Sequence, residues 1–432
     1  MEQIEIKDFV GIKDITIEVK AINILIGPQA SGKSIIAKLL FYFKEFVFEI
    51  LQAAEESQNI VSFNKSCQLK FKEFFPSSSW GTKDFVIRYS INKEFIEISR
   101  KKTKNKKKTT EVVLNYSKFY KDEFIDLRKH IQEQNKKILE QEKKVGVLSR
   151  LELSFDFKLM FLSYISEEIH RIAAFTQLYI PAGRSFFAHL KNNIFTFLSE
   201  SNTVDPFLTD FGTFYEKIKS PITLEIVNNK ASEQKELYRE INSLNEKILC
   251  GKYIQKDGDD YLQLTEGRTI AIANSSSGQQ ETLPLIIILR RLIFLSSKVS
   301  GNSVYIEEPE AHIFPAAQKN IVELISTVYN ARKDSLQFFI TTHSPYILTA
   351  FNNLIQAGIL AEDATEEKIN RISRHVPKTR FLDPDEVAVY SLENGYCKSI
   401  IDEETGLIDA NIIDEVSNEL AIQFDKLLDL EE

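Results

Sequence analysis

A loop near the N-terminus has the composition and spacing of a phosphate-binding loop. It fits the pattern G-x-x-x-x-G-K-[ST], and its members are Gly27, Pro28, Gln29, Ala30, Ser31, Gly32, Lys33 and Ser34. Glycines let backbone N–H groups turn toward an anion, the lysine places a positive charge beside phosphate oxygens, and the last hydroxyl is a ligand for Mg²⁺. The flanking residues predict a buried strand before the loop and a helix after it. A chance match on a structural turn is the alternative, but this context favours phosphate binding.

A pair of carboxylates follows a second apolar strand. Residues 304–306 are apolar, and Glu307 and Glu308 come directly after them. In a site that hydrolyses a nucleoside triphosphate, one such carboxylate holds Mg²⁺ through its water shell and the next polarises the attacking water. We therefore expect Glu307 at the metal and Glu308 as the catalytic base, with Glu310 and His312 in structural roles. An acidic loop that merely follows a strand is the alternative.

Two further segments carry groups suited to phosphate contact. Residues 274–280 (NSSSGQQ) precede a long apolar stretch, so their hydroxyls and Gly278 would lie at a helix start, where N–H groups favour anions. Serine-rich loops are more often linkers, so this segment indicates a site only together with the others. Residues 338–342 predict a strand after which His343 lies at the sheet edge where α/β folds bind ligands. A structural histidine is the alternative to a γ-phosphate contact.

Composition and charge exclude several classes of protein. The chain has 432 residues, of which 43% are hydrophobic and 27% charged, so it can form a large core and is not globally disordered. A net charge of -8 excludes a wholly basic coat, and three scattered cysteines exclude a disulfide scaffold. The N-terminus is unlike a signal peptide. The most apolar run, residues 283–295, is too short to span a bilayer and contains Arg290 and Arg291. We expect a cytoplasmic protein without membrane contact.

The elements that must position these groups predict an α/β fold. Alternating apolar residues predict strands over the first twenty residues or so and an antiparallel meander over 84–116. Phe124, Ile131, Ile138 and Val145 recur every seven residues, while the companion positions are only half apolar. This pattern predicts one long, partly exposed helix that is not a full coiled coil. A second helix is predicted to end at Cys250.

These elements suggest a head interrupted by an insertion. We expect a first head segment at residues 1–118 and a helical insertion at 119–265, with a strand near 177–184 that can belong to either. A second head segment follows at 266–375. Residues 376–432 are expected to contain a C-terminal strand pair and an acidic helix.

The four motifs, in this order, resemble those of the ATP-binding-cassette (ABC-type) heads of the SMC, RecF and OLD group. The resemblance covers roughly residues 1–120 and 265–350. It implies a P-loop ATPase head with an antiparallel β subdomain and a long helical insertion, with ATP and Mg²⁺ as ligands. It also implies a homodimer, or a higher homo-oligomer, that encloses two ATP molecules. Each site would combine residues 27–34 of one subunit with Ser276 and Gly278 of the other.

The resemblance also implies roles for individual residues. Glu308 would be the catalytic base, His343 the switch histidine, and Ser34 and Glu307 the metal-binding residues. The sequence departs from the usual Leu-Ser-Gly-Gly-Gln signature, because Ser275 replaces Leu and Ser277 replaces the first Gly. Glu307 also stands where many such ATPases have Asp. Gln177 is a candidate for the glutamine loop of the family.

Two phrases, IEEPEAHIFP and TTHSPYIL, are closer to the OLD-like branch than to transporters or SMC proteins. Within that branch the chain resembles the stand-alone ATPase subunits of bacterial anti-phage systems, of the PtuA (Septu) or AriA (PARIS) type. Only about ninety residues follow His343, which is too few for the C-terminal nuclease domain of OLD proteins. If nuclease activity exists, we expect it from a separate partner protein, a nuclease or toxin subunit.

A basic run and one arginine leave alternatives open. From Arg100 to Lys108, seven of nine residues are basic, which is typical of a solvated hairpin tip but also of a contact with DNA or RNA phosphates. Arg184 can point into the nucleotide site, to a partner, or into the structure. Three functions therefore compete: a defence-system ATPase that controls an effector, a DNA-repair ATPase of RecF type, and an ATP-bound oligomeric scaffold with little turnover.

Overall fold

One mixed β-sheet organises the protein. The computed structural model describes residues 1–100, 112–141, 147–188, 205–219, 234–256, 259–294, 301–409 and 422–427. Its strands are β1 (Glu2–Phe9), β2 (Ile12–Val19), β3 (Ile22–Ile26), β4 (Phe85–Ile91), β5 (Glu94–Arg100), β6 (Val113–Tyr116), β7 (Thr176–Ile180), β8 (Lys252–Lys256), β9 (Asp259–Gln263), β10 (Thr269–Ala271), β11 (Asn302–Glu307), β12 (Leu336–Thr342), β13 (Val387–Glu393) and β14 (Tyr396–Ser399). In this part of the chain, eleven strands form the main sheet and β8, β9 and β10 form a second, small one.

The main sheet has a parallel core and an antiparallel arm. Its order is β6-β5-β4-β1-β2-β14-β13-β3-β12-β11-β7. The five strands from β13 to β7 are mutually parallel, whereas β2, β1, β4, β5 and β6 form an antiparallel arm. This architecture confirms the expected α/β fold with an antiparallel β subdomain. The C-terminal pair, β13 and β14, lies inside the sheet between β2 and β3.

Helices cover both faces of this sheet. They are α1 (Lys33–Lys44), α2 (Phe46–Glu55), α3 (Ile60–Phe74), α4 (Lys118–Gln141), α5 (Val147–Glu168), α6 (Pro206–Ile218), α7 (Lys235–Leu249), α8 (Ser277–Phe294), α9 (Pro315–Ala331), α10 (Pro345–Ala361) and α11 (Glu366–Ser373). Among the described residues, no helix is both long enough and apolar enough to cross a membrane.

Two hydrophobic cores result, one on each face. Along a strand, successive side chains point to opposite faces. Phe338 and Ile340 of β12 therefore join the core under α9 and α10, while Phe339 joins the core under α1. The rings of Phe339 and Tyr305 stack in that second core with centroids 4.7 Å apart. Because both faces are covered, β12 is buried along its whole length, as is typical of central parallel strands.

The helical insertion differs in detail from the predicted long helix. Two helices are present, since α4 ends at Gln141 and α5 begins at Val147. Phe124, Leu127 and Ile131 of α4 are buried. The Phe124 ring stacks on Phe63 of α3 with centroids 4.9 Å apart, so the first part of the seven-residue apolar repeat packs on the head. These apolar positions of α4 therefore form a face that packs on the head, which periodicity alone does not reveal.

Other local predictions have mixed outcomes. The strand near 177–184 is β7, at the edge of the main sheet, and α7 ends where Cys250 adopts a left-handed conformation with φ 51°. The small sheet of β8, β9 and β10 was not predicted. Of the expected C-terminal acidic helix, the structure describes only residues 422–427, and these are helical.

The basic run is described only at its first residue. Arg100 ends β5 and is buried, and it donates hydrogen bonds to the backbone oxygens of Gly81 and Lys83. It therefore fastens the antiparallel arm and is turned away from solvent, so this one residue of the run is not available for a nucleic-acid contact. The rest of the run to Lys108 lies outside the described residues.

A buried charge network joins the arm to the parallel core. Lys44, at the end of α1, donates to Glu2 Oε1 and to Gln337 Oε1, each at 2.7 Å. The Glu2 carboxylate also accepts hydrogen bonds from Tyr89 at 2.6 Å and from Gln337 Nε2 at 2.8 Å. The side chains of Lys44 and Glu2 are each 1% exposed. Burial lowers the pKa of Lys44, and the Glu2 carboxylate opposes this effect.

We predict that Lys44→Met lowers the free energy of unfolding by about 3–5 kcal/mol, because it leaves the buried Glu2 carboxylate without its cation. Lys38→Met is the matched control. Lys38 also pairs with a carboxylate, Asp205, but this pair is 20% and 43% exposed, so the loss should be below about 1 kcal/mol. Denaturant titration measures both values. Equal losses in the two variants would show that the buried network contributes no more to the free energy of unfolding than an exposed ion pair.

Candidate functional site

The phosphate-binding loop connects β3 to α1, as predicted. Gly27 has φ 156° and Gly32 has φ 102°. A Cβ atom on Gly27 would lie 2.2 Å from the Leu392 carbonyl oxygen, and one on Gly32 would lie 2.9 Å from Ile12 Cγ1. Both positions therefore need glycine, for backbone conformation and for space.

The first turn of α1 is open to an anion. No side chain among the described residues caps this helix, and Gly32 occupies the cap position. Pro28, Gln29 and Ala30 in the loop and Ser34 in the first turn are exposed. The unpaired N–H groups of a helix start attract phosphate, so this loop can cradle a phosphate chain from the solvent side.

Lys33 lies across the loop. Its ammonium group donates to the Gly27 oxygen at 2.8 Å and to the Pro28 oxygen at 2.9 Å. Burial lowers the pKa of Lys33, and the carboxylates of Glu308 and Glu310 raise it. The lysine therefore already shares an electrostatic environment with the acidic loop. Its present acceptors are two carbonyl groups, which phosphate oxygens can replace with more negative charge.

Parallel register brings the acidic strand to the same edge. Ile26 at the end of β3 pairs with Thr342 of β12, and Thr341 pairs with Glu307 of β11. Two strand spacings amount to roughly 10 Å. The loop after β3, the carboxylates after β11 and His343 after β12 therefore meet at one edge of the sheet.

Glu307 is held in place from two sides. Tyr179 donates its hydroxyl hydrogen to Oε1 at 2.8 Å, and the Ala182 backbone N–H donates to Oε2 at 3.2 Å. Burial, and then the Glu307 carboxylate, raise the pKa of Tyr179 well above its ordinary value, so the phenol stays a donor. Each carboxylate oxygen accepts one hydrogen bond and keeps a further lone pair, which suits a contact with metal-bound water.

Glu308 and His343 face each other at the solvent side. Glu308 Oε1 lies 3.6 Å from His343 Nε2, and the two side chains are 42% and 32% exposed. Glu308 has a left-handed backbone with φ 43°, and its N–H donates to the Thr341 oxygen at 2.9 Å. A non-glycine residue in this region carries strain of about 1–3 kcal/mol, which is common at functional sites.

Glu310 supports the histidine. Its Oε1 accepts a hydrogen bond from the His343 backbone N–H at 2.7 Å. Its Oε2 is buried and has no hydrogen-bond partner among the described residues. A buried carboxylate oxygen without a donor fits a site that takes up a cation or an ordered water molecule. No group of three or more His, Cys, Asp or Glu in the described ranges could hold a metal ion. Magnesium at phosphates needs only one or two protein ligands.

The serine loop starts α8 with a capping box. Ser276 Oγ accepts from the Gln279 N–H at 3.3 Å, and Gln279 Oε1 accepts from the Ser276 N–H at 3.1 Å. Ser276 and Ser277 are exposed, whereas Gly278 is buried. A Cβ atom on Gly278 would lie 2.5 Å from the His312 oxygen, so this glycine packs on the loop that follows Glu308. The Ser276 hydroxyl faces solvent and can be reached by a second molecule.

Two residues with open roles are now placed. Gln177 lies in the amino-terminal half of β7, opposite Ser303, and its Oε1 accepts from the Tyr305 hydroxyl at 2.8 Å. It is therefore directed into the core and does not reach the nucleotide edge. Arg184 is fully buried just beyond β7, where it donates to the backbone oxygens of Glu307 at 2.6 Å and Glu308 at 3.0 Å.

Sequence reasoning missed the residues that hold this site together. Tyr179 supports Glu307, and Glu281 binds the Arg184 segment. The only signals were an arginine three residues after Pro181 and a single acidic residue in α8. Neither residue lies at a fixed sequence distance from its partner, so only the tertiary structure reveals these contacts.

Comparison with known proteins places this site in a family. Residues 1–348 match the family model described as an AAA ATPase domain (AAA_15), so the chain belongs to that family. The order of the motifs and the geometry of the sheet edge fit a P-loop ATPase. No curated protein matches the chain.

Among solved structures, the chain is similar to three SMC head domains. The first is the Smc head of Pyrococcus furiosus with an extended coiled coil, bound to the C-terminal domain of ScpA, at 14% identity and a TM-score of 0.36, covering 93% of this chain and 96% of that one. The second is an SmcHead bound to the C-winged helix domain of ScpA, at 12% identity and a TM-score of 0.41, covering 92% of this chain and 96% of that one. The third is the SMC head domain from Thermotoga maritima, at 11% identity and a TM-score of 0.35, covering 92% of this chain and 97% of that one.

Proposed function

We propose that the protein binds and hydrolyses ATP in a homodimer that encloses two nucleotides. Each site combines residues 27–34 of one copy with Ser276 of the other, and the buried Gly278 holds that serine loop against His312 of its own copy. The observation that carries the proposal is the meeting of Lys33, Glu308 and His343 at one sheet edge while Ser276 stays exposed. A single copy supplies the triphosphate cradle and the carboxylate, but its own serine loop begins a different helix, which favours a second copy as the cover.

The loop residues divide the binding of the phosphates. Backbone N–H groups of the loop donate hydrogen bonds to the β- and γ-phosphates, and the Lys33 ammonium neutralises part of their charge. Ser34 and Glu307 are the residues that would hold Mg²⁺, and the Glu310 carboxylate adds negative charge to the surroundings of Lys33. When bound, Mg²⁺ would supply positive charge to the phosphate oxygens. Tyr179 and Ala182 fix the Glu307 carboxylate, so it need not reorganise when the nucleotide enters.

Glu308 and His343 act on the far side of the γ-phosphate. Glu308 accepts a hydrogen bond from the attacking water and orients it for in-line attack. His343 Nε2, beside Glu308, donates to a γ-phosphate oxygen and so senses whether that phosphate is present. The Ser276 hydroxyl of the other copy accepts from its own Gln279 N–H and donates to Gln279 Oε1 at 3.1 Å, and a rotation of this hydroxyl redirects its hydrogen to the same phosphate. Binding of ATP thereby closes the dimer, and hydrolysis opens it.

We also propose what this cycle controls. The OLD-like phrases support a stand-alone ATPase that transmits closure through its helical insertion to a separate nuclease or toxin subunit, as in anti-phage defence of the PtuA or AriA type. A DNA-repair ATPase of RecF type is the alternative, and the inward position of Arg100 removes one residue from its proposed nucleic-acid contact. An ATP-bound scaffold with little turnover is the third reading, and substitution of Glu308 tests it.

We predict that Glu308→Gln lowers kcat for ATP hydrolysis by about 10²–10⁴-fold, because an amide cannot serve as the base. ATP binding should persist, and the ATP-bound dimer should accumulate because it no longer opens. Glu362→Gln, at an exposed position at the end of α10, is the control and should hydrolyse ATP at the normal rate. Phosphate release and mass measurement in solution give both readouts. Unchanged turnover in Glu308→Gln would favour the scaffold reading.

A mixing experiment tests the shared site. We predict that Lys33→Ala and Ser276→Arg are each inactive alone. Lys33→Ala removes the ammonium group that binds the phosphates, and Ser276→Arg blocks the contact with the nucleotide of the neighbouring copy. Mixed dimers contain one intact site, with the loop from one copy and the serine from the other. Equal mixing should therefore restore up to roughly a quarter of the normal ATPase rate in an isologous dimer. If the mixture stays inactive although mixed dimers form, the two motifs do not share a site.

The effector is tested by co-expression with the product of the neighbouring gene. We predict that the two proteins co-purify and that the mass of the complex changes when ATP is added, because closure alters the surface offered by the insertion. The Lys33→Ala variant is the control and should give the same mass with and without ATP. A neighbouring nuclease or toxin would favour defence. Failure of every neighbouring product to bind would count against the effector proposal and leave the ATPase proposal unaffected.

A further inference from the structure

Arg184 forms a bridge between two functional segments. It follows β7 and is 0% exposed. Its Nη1 donates to the Pro181 oxygen at 2.9 Å and to the Glu307 oxygen at 2.6 Å, and its Nη2 donates to the Glu308 oxygen at 3.0 Å. The guanidinium therefore fixes the two peptide groups that carry both site carboxylates.

The other side of the bridge is α8. Arg184 Nε donates to the Glu281 backbone oxygen at 2.9 Å. The Glu281 carboxylate, 1% exposed, accepts from the Arg184 N–H at 2.7 Å and from the Ser185 N–H at 2.8 Å. Charge-assisted bonds of this kind, inside a dry interior, are strong and directional. Residues 184 and 185 and the first turns of α8 are thus held as one unit.

A second contact joins the same two segments. Gly278 in the first turn of α8 packs against the His312 oxygen, in the loop that follows Glu308. Ser276, at the start of α8, is five residues before Glu281 and faces solvent. Within one copy, the residue proposed to touch the neighbour's nucleotide is thereby connected to the carboxylate proposed to act on the copy's own nucleotide.

We propose that Arg184 is a positioning residue that couples the two nucleotide sites of the dimer. When Ser276 engages the triphosphate bound to the other copy, α8 is drawn toward it, and Arg184 passes this movement to the peptide groups of Glu307 and Glu308. The strained backbone of Glu308, with φ 43°, gives this segment a conformation that only the surrounding contacts maintain. The inference rests on the proposed composite site and adds a route for cooperativity to it.

Arginine is suited to this role and lysine is not. Its planar fork donates at once to four carbonyl oxygens, on Pro181, Glu281, Glu307 and Glu308. A lysine ammonium has three donors at a single point and cannot reach all of them. Arg184→Lys therefore keeps a buried positive charge but loosens the bridge. Glu281→Gln keeps the size of the side chain but loses the negative charge and one of the two acceptors for residues 184 and 185.

The test measures ATP binding in the Glu308→Gln protein, where hydrolysis does not interfere. We expect a Hill coefficient approaching two, the number of sites. Adding Arg184→Lys or Glu281→Gln should reduce it toward one. In protein that retains Glu308, either change should lower kcat about tenfold or more, within the range of allosteric coupling. Arg380→Lys is the matched control, because Arg380 is also buried and paired, with Glu240 and Glu323, away from the site.

The outcomes separate the two proposals. A Hill coefficient near one in both bridge variants but not in Arg380→Lys supports the coupling, since a purely structural loss would lower stability alike in all three. If Arg184→Lys does not fold, Glu281→Gln decides by the same measurement. Cooperativity and kcat unchanged in folded bridge variants would overturn the coupling and leave the composite site intact. Absence of ATP binding in the parent protein would overturn both.

Discussion

The register of three parallel strands is the constraint on which the site depends. Because β3, β12 and β11 run side by side in the same direction, the segments that follow them meet at one edge. One helix start, two carboxylates and one histidine are thereby brought together without any long loop. Both faces of these strands are buried under helices, so the edge is fixed by two hydrophobic cores and not by the polar groups themselves. The antiparallel arm adds to this frame through the buried Lys44 and Glu2 pair.

The site is rigid on one side and open on the other. Glu307 is held by Tyr179 and Ala182, and the peptides of both carboxylates are held by Arg184. Ser276, in contrast, is exposed, and the side chains of Glu308 and His343 are 42% and 32% exposed. This contrast is expected where the support must not reorganise but the reacting groups must meet a ligand and a second copy. The buried arginine makes the supports one connected unit, which a set of independent side chains could not provide.

Motif residues were predictable because their chemistry is local. The loop at 27–34 needs glycines at fixed positions, and the same short stretch reveals the strand and the helix around it. Glu307, Glu308 and His343 were likewise found at the ends of apolar strands. Arg184, Glu281 and Tyr179 were not assigned roles, since their partners are more than ninety residues away. Gln177 was a wrong candidate, because a glutamine in a strand can point to either face and its own sequence context does not say which.

The amino-acid sequence by itself determined the class of the fold, the phosphate-binding loop and the carboxylate pair, because hydrophobic period and short motifs are properties of neighbouring residues. Only the tertiary structure decided the strand order, including the insertion of the C-terminal pair beside β3, and the packing of α4 on the head. It also decided that Arg100 faces inward and that Arg184 joins two distant segments. These features depend on contacts between residues far apart in the chain, whose energies are settled only when both partners are buried together.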